Sequence, residues 1–164
     1  GIPIRLELTL VDVNNGYAPL AGYALYAWHC DRDGNYSMYS HGVTAEDYLR
    51  GVQQADGDGV ITFTSIFPGC YAGRWPHIHF EVYPSLDAAT SSANAINTSQ
   101  LAFPEDACKA AYATTGYEKS VANLSRVTLE SDGVFGDGHE WQVATVTGDP
   151  TSGYVVRLTV GVEG

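Results

Sequence analysis

Long apolar runs are missing from this chain of 164 residues, and so is positive charge: eight Lys and Arg stand against nineteen Asp and Glu, a formal net charge of -11. No run approaches the roughly 20 residues that a membrane-spanning helix needs. The acidic excess argues against nucleic acid or an anionic membrane as a partner and repels anionic small molecules at long range. Cysteine is scarce too. Cys30, Cys70 and Cys108 allow at most one internal disulfide with a thiol left over, and the expectation leans to Cys70 with Cys108. Gly1 replaces an initiator Met and no signal peptide is visible, so the chain reads as processed or trimmed. The low lysine content, the abundance of Gly, Tyr, Ser and Thr, and the acidic balance suggest an extracellular, secreted protein.

What is present is alternation with period two. It runs over Ile4 to Val13, Ala24 to His29, Val60 to Phe67, His77 to Tyr83, Arg126 to Glu130, Trp141 to Thr147 and Tyr154 to Val162. Dense turn signals separate the runs, among them Asp33-Gly34-Asn35, Asp56-Gly57-Asp58-Gly59 and Ser131-Asp132-Gly133. This predicts an all-β protein, a sandwich of mainly antiparallel strands. Pro84 to Gly116 departs from the pattern and reads as a long loop followed by a helix from Pro104 to about Ala113, with a second helical turn over Ser120 to Leu124. These would be short peripheral helices. No repeat or linker divides the chain, so residues 1–164 are expected to form a single domain, long enough to bury a sizeable core.

The densest chemistry lies in Tyr71-Ala72-Gly73-Arg74-Trp75-Pro76-His77-Ile78-His79. On a strand His77 and His79 share one face while Ile78, Phe80 and Val82 take the other, so two imidazoles can grip one ion. Tyr71 and Arg74 sit just ahead of the pair, and Tyr36 lies in a turn after the strand that ends at Trp28-His29. A tyrosine ionises near pH 10 and becomes a ligand only under a strongly Lewis-acidic ion. Two tyrosinates and two neutral imidazoles suit Fe(III), whereas zinc more often recruits cysteine or a carboxylate. Two other readings stand beside this one. A sandwich of transthyretin-like or Ig-like type could be a non-catalytic binding module, for carbohydrate or protein, lacking iron. A zinc or iron(II) enzyme could use His77 and His79 with a carboxylate such as Glu81.

Several segments in order resemble the intradiol ring-cleavage dioxygenases. They are Pro19-Leu20-Ala21-Gly22, Trp28-His29-Cys30-Asp31 with Gly34-Asn35-Tyr36-Ser37, Leu49-Arg50-Gly51-Val52-Gln53, Asp58-Gly59-Val60-Ile61-Thr62-Phe63, Ile66-Phe67-Pro68-Gly69-Cys70-Tyr71 and Arg74-Trp75-Pro76-His77-Ile78-His79. The resemblance implies a non-haem Fe(III) held by Tyr36, Tyr71, His77 and His79, with O2 as co-substrate and a catechol cleaved between its hydroxylated carbons to a cis,cis-muconate-type diacid. It makes Tyr71 the ligand that leaves and takes up a catechol proton. Arg74 becomes the charge against the substrate ring, and Gln100 a helper in the same environment, although the gap after His79 is longer than the family pattern.

Two further departures place the chain nearest a compact, secreted microbial branch that sometimes carries a carbohydrate-binding module. The loop between Tyr71 and His77 is very short, implying an open, shallow site, and the helical N-terminal segment of the dimeric catechol enzymes is absent. That branch tends to have a cysteine where this chain has Tyr17. His29 is expected to be a hydrogen-bonded structural residue. His41 and His139 should be solvated, and Asp56 to Gly59 should form a hairpin turn rather than a calcium loop. Tyr26, Tyr39, Tyr48 and Tyr83 need no chemistry, with Tyr39 or Tyr48 candidates for the substrate mouth.

Overall fold

The computed structural model describes all 164 residues. In chain order the elements are β1 (Pro3–Asp12), β2 (Ala18–Pro19), β3 (Ala24–Trp28), β4 (Arg50–Gln54), β5 (Val60–Ile66), β6 (His77–Tyr83), β7 (Asn97–Ala102), α1 (Glu105–Tyr112), α2 (Glu118–Leu124), β8 (Thr145–Asp149) and β9 (Gly153–Val162). They form an all-β sandwich. One sheet has the order β2-β1-β9-β8, with β5 also on β1; the other has the order β4-β3-β6-β7. Every pairing is antiparallel except β1 with β9. No helix is long and apolar enough to cross a membrane.

Alternation in sequence becomes alternation in burial. Along β1, Ile4, Leu6, Leu8 and Leu10 are all buried, and the parallel register sets them beside Tyr154, Val156, Leu158 and Val160 of β9. Ile78, Phe80 and Val82 of β6 face them from the other sheet, with Leu25 and Ala27 of β3 and Leu101 of β7 alongside. Each such side chain contributes about 1.5–3 kcal/mol by leaving water. The opposite face of the second sheet stays polar and carries a cross-strand row of Arg50, Trp28, His79 and Gln100.

The helices serve a loop rather than the core alone. α1 carries Glu105 and Asp106 in its first turn, where acidic side chains suit the helix dipole, and buries Ala107, Cys108, Ala111 and Tyr112. Tyr112 Oη donates to the Pro68 carbonyl at 3.0 Å, and Tyr117 Oη, just before α2, donates to the Phe67 carbonyl at 2.8 Å. From α2, Ser120 Oγ accepts the Cys70 N–H at 2.9 Å and Asn123 Nδ2 donates to the Cys70 carbonyl at 2.8 Å. Residues 67–70 are thereby clamped immediately before Tyr71.

Several sequence expectations are corrected. Arg126 to Glu130 is not a strand: Thr128 and Ser131 exchange side-chain and backbone hydrogen bonds that close the segment into a turn. Within Trp141 to Thr147 the strand begins only at Thr145, and Val143 bridges β7 at Ala102. Within the supposed loop after Pro84, Asn97 to Ala102 is a strand, because pairing with β6 over six residues overrides its polar composition. Asp56 to Gly59 does not join a hairpin but carries the chain from β4 in one sheet to β5 in the other, with Asp56 Oδ1 accepting the Asp58 and Val60 N–H groups. The expected Cys70–Cys108 disulfide is absent. All three thiols are free and buried, the Cys70 thiol pointing to the Arg74 carbonyl at 3.5 Å and Cys30 to the Gly69 carbonyl at 3.4 Å. Burial pushes the Cys30 and Cys70 thiols up to about 12, leaving them without thiolate character.

Candidate metal centre

Period two places His77 and His79 together on the outer face of β6, and two loops bring tyrosines over them. The first loop follows β3. Asp31 Oδ1 accepts the N–H groups of Asp33 and Asn35 at 2.9 and 2.8 Å, turning the chain toward Tyr36. Arg50 then fastens the next residue, with Nη2 on the Ser37 carbonyl at 2.7 Å and Nε on Ser37 Oγ at 2.9 Å. The second loop leaves β5 and reaches Tyr71. The two loops interlock at Gly69, whose N–H donates to the Asp31 carbonyl at 3.0 Å and where a Cβ would stand 2.6 Å from the Arg32 oxygen. Only glycine fits there.

Four donor atoms converge as a result. His77 Nε2 lies 3.2 Å from Tyr36 Oη, 3.2 Å from Tyr71 Oη and 3.0 Å from His79 Nε2, and His79 Nε2 lies 3.1 Å from Tyr36 Oη. The Trp75 carbonyl can only accept, so the Nδ1 of His77 that meets it must carry the proton, and Nε2 turns a lone pair into the cluster. The His79 ring stacks on Trp28 at 4.8 Å and 7°, which fixes its plane.

Burial holds both imidazoles neutral, His77 down to about 3 and His79 down to about 4, with the charge of Arg74 a lesser contribution in each. The same burial pushes Tyr36 and Tyr71 above the ordinary phenol value. Neutral nitrogens beside phenols that resist ionisation form a site that only a strong Lewis acid would deprotonate. An ion with bonds of about 2.1 Å to nitrogen or oxygen spans neighbouring donors about 3 Å apart, so the cluster fits a metal in spacing as well as in donor type. No three His, Cys, Asp or Glu side chains converge anywhere in the chain, so a metal centre here requires tyrosine. That removes the reading with Glu81 as third ligand; Glu81 instead accepts from Tyr83 Oη at 2.5 Å.

Arg74 and Gln100 meet as expected. Gln100 stands opposite His79 in the β6–β7 register, and its Oε1 accepts from Arg74 Nη2 at 2.6 Å. The long gap after His79 is a detour through two short 3-10 turns, Ala88–Thr90 and Ser92–Asn94, before β7 returns to the site. Asp132 went unrecognised in the sequence, where it reads as a turn residue. Its buried carboxylate takes Arg74 Nε at 2.9 Å and the Trp75 N–H at 2.7 Å. Burial opposes its charge, but the N–H groups of Trp75 and Val134 together with Arg74 outweigh that and hold the carboxyl below its ordinary value. With Arg74 and Asp132 separated by 58 positions in the chain, no local spacing could have linked them.

His29 and His41 match the plainer readings, whereas His139 is less solvated than expected. His29 is buried between the Cys30 carbonyl and Ser65 Oγ, each 2.7 Å away, and His41 is exposed. His139 is half-buried, its Nδ1 3.3 Å from the Phe135 carbonyl. Tyr48 Oη braces Asp31 at 3.2 Å, and the Tyr39 ring lies under the Arg50 guanidinium at 4.8 Å.

No family model and no curated protein sequence matches this chain. Solved structures do. An intradiol ring-cleavage dioxygenase from Tetranychus urticae is 26% identical over 99% of this chain and 81% of its own, with a TM-score of 0.79. A second dioxygenase is 25% identical over 99% and 80%, with a TM-score of 0.82. By its fold, and over nearly its full length, this chain is similar to the intradiol ring-cleavage dioxygenases. The intradiol fold also recurs in the dioxygenase domain of a dioxygenase carbohydrate-binding protein fusion from a Streptomyces, at 23% identity over 99% and 80% and a TM-score of 0.65.

Proposed function

We propose that this chain is a non-haem Fe(III)-dependent intradiol dioxygenase that cleaves catechols between the two hydroxylated carbons, with O2 as co-substrate, to cis,cis-muconate-type diacids. The observation that carries the reading is the convergence of two phenol oxygens and two imidazole nitrogens at 3.0–3.2 Å. Tyr36, Tyr71, His77 and His79 would hold the ion. When bound, Fe(III) supplies the Lewis acidity and redox activity that let a catecholate react with O2.

The side chains divide the remaining work. Tyr36 Oη lies against both imidazoles, whereas Tyr71 Oη lies against only one of them, His77, and is followed by exposed Ala72 and Gly73, which favours Tyr71 as the group that would be released when a catechol binds. Its oxygen, a phenolate while it would hold the ion, could then accept a proton from a catechol hydroxyl and become the neutral phenol. Arg74, fixed by Asp132 and Gln100, places a positive charge that stabilises the electron-rich ring of the deprotonated substrate. His77, tethered through Nδ1, keeps its Nε2 lone pair directed inward. The net charge of -11 favours neutral catechols over anionic ones such as protocatechuate. The acidic composition, with two lysines in the whole chain, supports an extracellular setting.

A visible spectrum of the purified protein, before and after adding catechol without oxygen, tests the reading. The expected result is a burgundy tyrosinate-to-Fe(III) band that shifts with catechol, followed by a muconate once oxygen is admitted. A protein that stays colourless after ferric reconstitution would reject the ligand set and leave a non-catalytic binding module.

A further inference from the structure

We propose that Asp132 is the positioning residue of the site, acting on turnover by fixing the Arg74 guanidinium, while its bond to the Trp75 N–H braces the backbone beside His77. The inference deepens the catechol-cleaving reading above and rests on it for its kinetic part.

The Asp132 carboxylate is fully occupied. Oδ2 accepts from Arg74 Nε at 2.9 Å and the Trp75 N–H at 2.7 Å, and Oδ1 accepts from the N–H groups of Val134 and Phe135 at 2.8 and 3.1 Å. Its side chain is 0% exposed and that of Arg74 19%. A carboxylate withdrawn from water to this extent is tolerated only when paired and saturated with donors, as it is here. The turn that presents it is built for the purpose. The Asp132 N–H donates to the Thr128 carbonyl, the Gly136 N–H donates to the Asp132 carbonyl, and a Cβ at Gly136 would stand 2.7 Å from the Glu130 oxygen.

Two consequences reach the reacting region. A guanidinium is a planar fork, and this one is held at Nε by Asp132 and at Nη2 by Gln100, so it cannot rotate without breaking a bond. Asp132 also holds the N–H of Trp75, the residue whose carbonyl receives the Nδ1 proton of His77. From the same turn, the Phe135 ring lies 5.9 Å from the Arg74 guanidinium carbon and 6.3 Å from the His77 ring. One turn thus braces the charge and one of the imidazoles together.

The test compares the iron-loaded protein with Asp132→Asn, Arg74→Lys, Arg74→Gln and the double variant Arg74→Gln/Asp132→Asn, using catechol and O2. A misplaced guanidinium lowers kcat per iron roughly a hundredfold in Asp132→Asn while KM moves much less. The tyrosinate band persists, because Asp132 bonds to neither tyrosine. The double variant turns over no more slowly than Arg74→Gln, since Asp132 acts through Arg74. Arg74→Lys, which keeps the charge and loses the fork, falls as far as Asp132→Asn.

A wild-type kcat in Asp132→Asn with only a lowered Tm would overturn the proposal, as would losses that multiply in the double variant. A readout without turnover stands beside these: the Arg74 Nε–H resonance should exchange slowly in the wild type and rapidly in Asp132→Asn. If the wild type binds no iron or leaves catechol intact, the proposed function falls while the exchange measurement still decides whether Asp132 holds Arg74. If Asp132→Asn does not fold, a fast-exchanging Nε–H in the wild type, or full turnover in Arg74→Lys, overturns the idea.

Discussion

The two halves of the candidate metal centre are fixed by different means. His77 and His79 stand on a strand, where pleating sets their common face and the register with β3 and β7 supplies Trp28 and Gln100 as neighbours. Tyr36 and Tyr71 stand on loops, and their placement depends on clamps drawn from distant parts of the chain, including Arg50, Gly69, Ser120 and Asn123. The strand half should therefore respond to substitution as chemistry, through loss of a donor. The loop half should respond as mechanics, through stability and the geometry of the phenols.

The largest effect is expected on the strand. His79→Ala removes a donor whose lone pair nothing nearby replaces, and iron content should fall more than tenfold, with the visible band, by metal analysis of the purified variant. Retention of iron and activity would contradict the ligand set. Next comes Tyr71→Phe on the loop. Tyr36, His77 and His79 remain as donors, so iron should stay, while loss of the proton acceptor slows turnover by roughly 10²–10⁴-fold in steady-state kinetics with catechol. Loss of iron as severe as in His79→Ala would erase the distinction between the two halves.

That contrast also explains what the sequence could disclose. The His pair, the apolar stripes of β1, β6 and β9 and the two helices follow from local periodicity and were legible as such. Ligand chemistry made the tyrosines candidates, but only the resemblance of whole segments tied them to the His pair, because no spacing rule links Tyr36 to His77 across a loop. β7 was illegible for a related reason: Asn97, Thr98, Ser99 and Gln100 are all polar and show no apolar alternation, and partnership with β6 makes the strand. Asp132 was hidden most deeply, since a turn signature and a buried ion-pair partner look alike until the chain has folded.

A second comparison sets His29 against the candidate ligands. It is buried just beyond Trp28 and depressed to about 4 from 6.5, chiefly by burial. The folded protein therefore refuses a proton that the unfolded chain accepts, so stability is full above pH 6.5 and falls as pH drops toward 4. The shift corresponds to about 3 kcal/mol at the acid end. Denaturant titrations across that range on iron-loaded protein should show the limb, and His29→Gln should flatten it at a cost in stability above pH 6.5. An unchanged limb would assign the acid sensitivity to other groups.

The smallest effect expected is mechanical and separates three glycines. An added methyl at Gly69 meets the Arg32 oxygen at 2.6 Å and the Asp31 oxygen at 2.9 Å, both backbone atoms that cannot step aside without moving the loop of Tyr36. Gly69→Ala should cost about 1–3 kcal/mol by thermal denaturation and weaken the tyrosinate band, since the two phenols no longer share one frame. At Gly73 nothing lies within 4 Å, but φ is +86°, so Ala there pays about 1–2 kcal/mol of backbone strain without touching the frame. Gly57 is open and has no positive φ, so Gly57→Ala should be neutral or stabilising by about 0.4–1 kcal/mol. The order of Tm values would follow local sterics alone. The band is the sharper measurement: if Gly73→Ala dims it as much as Gly69→Ala, the tyrosine loops are not held by their mutual contact, and the clamps from α1 and α2 must hold Tyr71 by themselves.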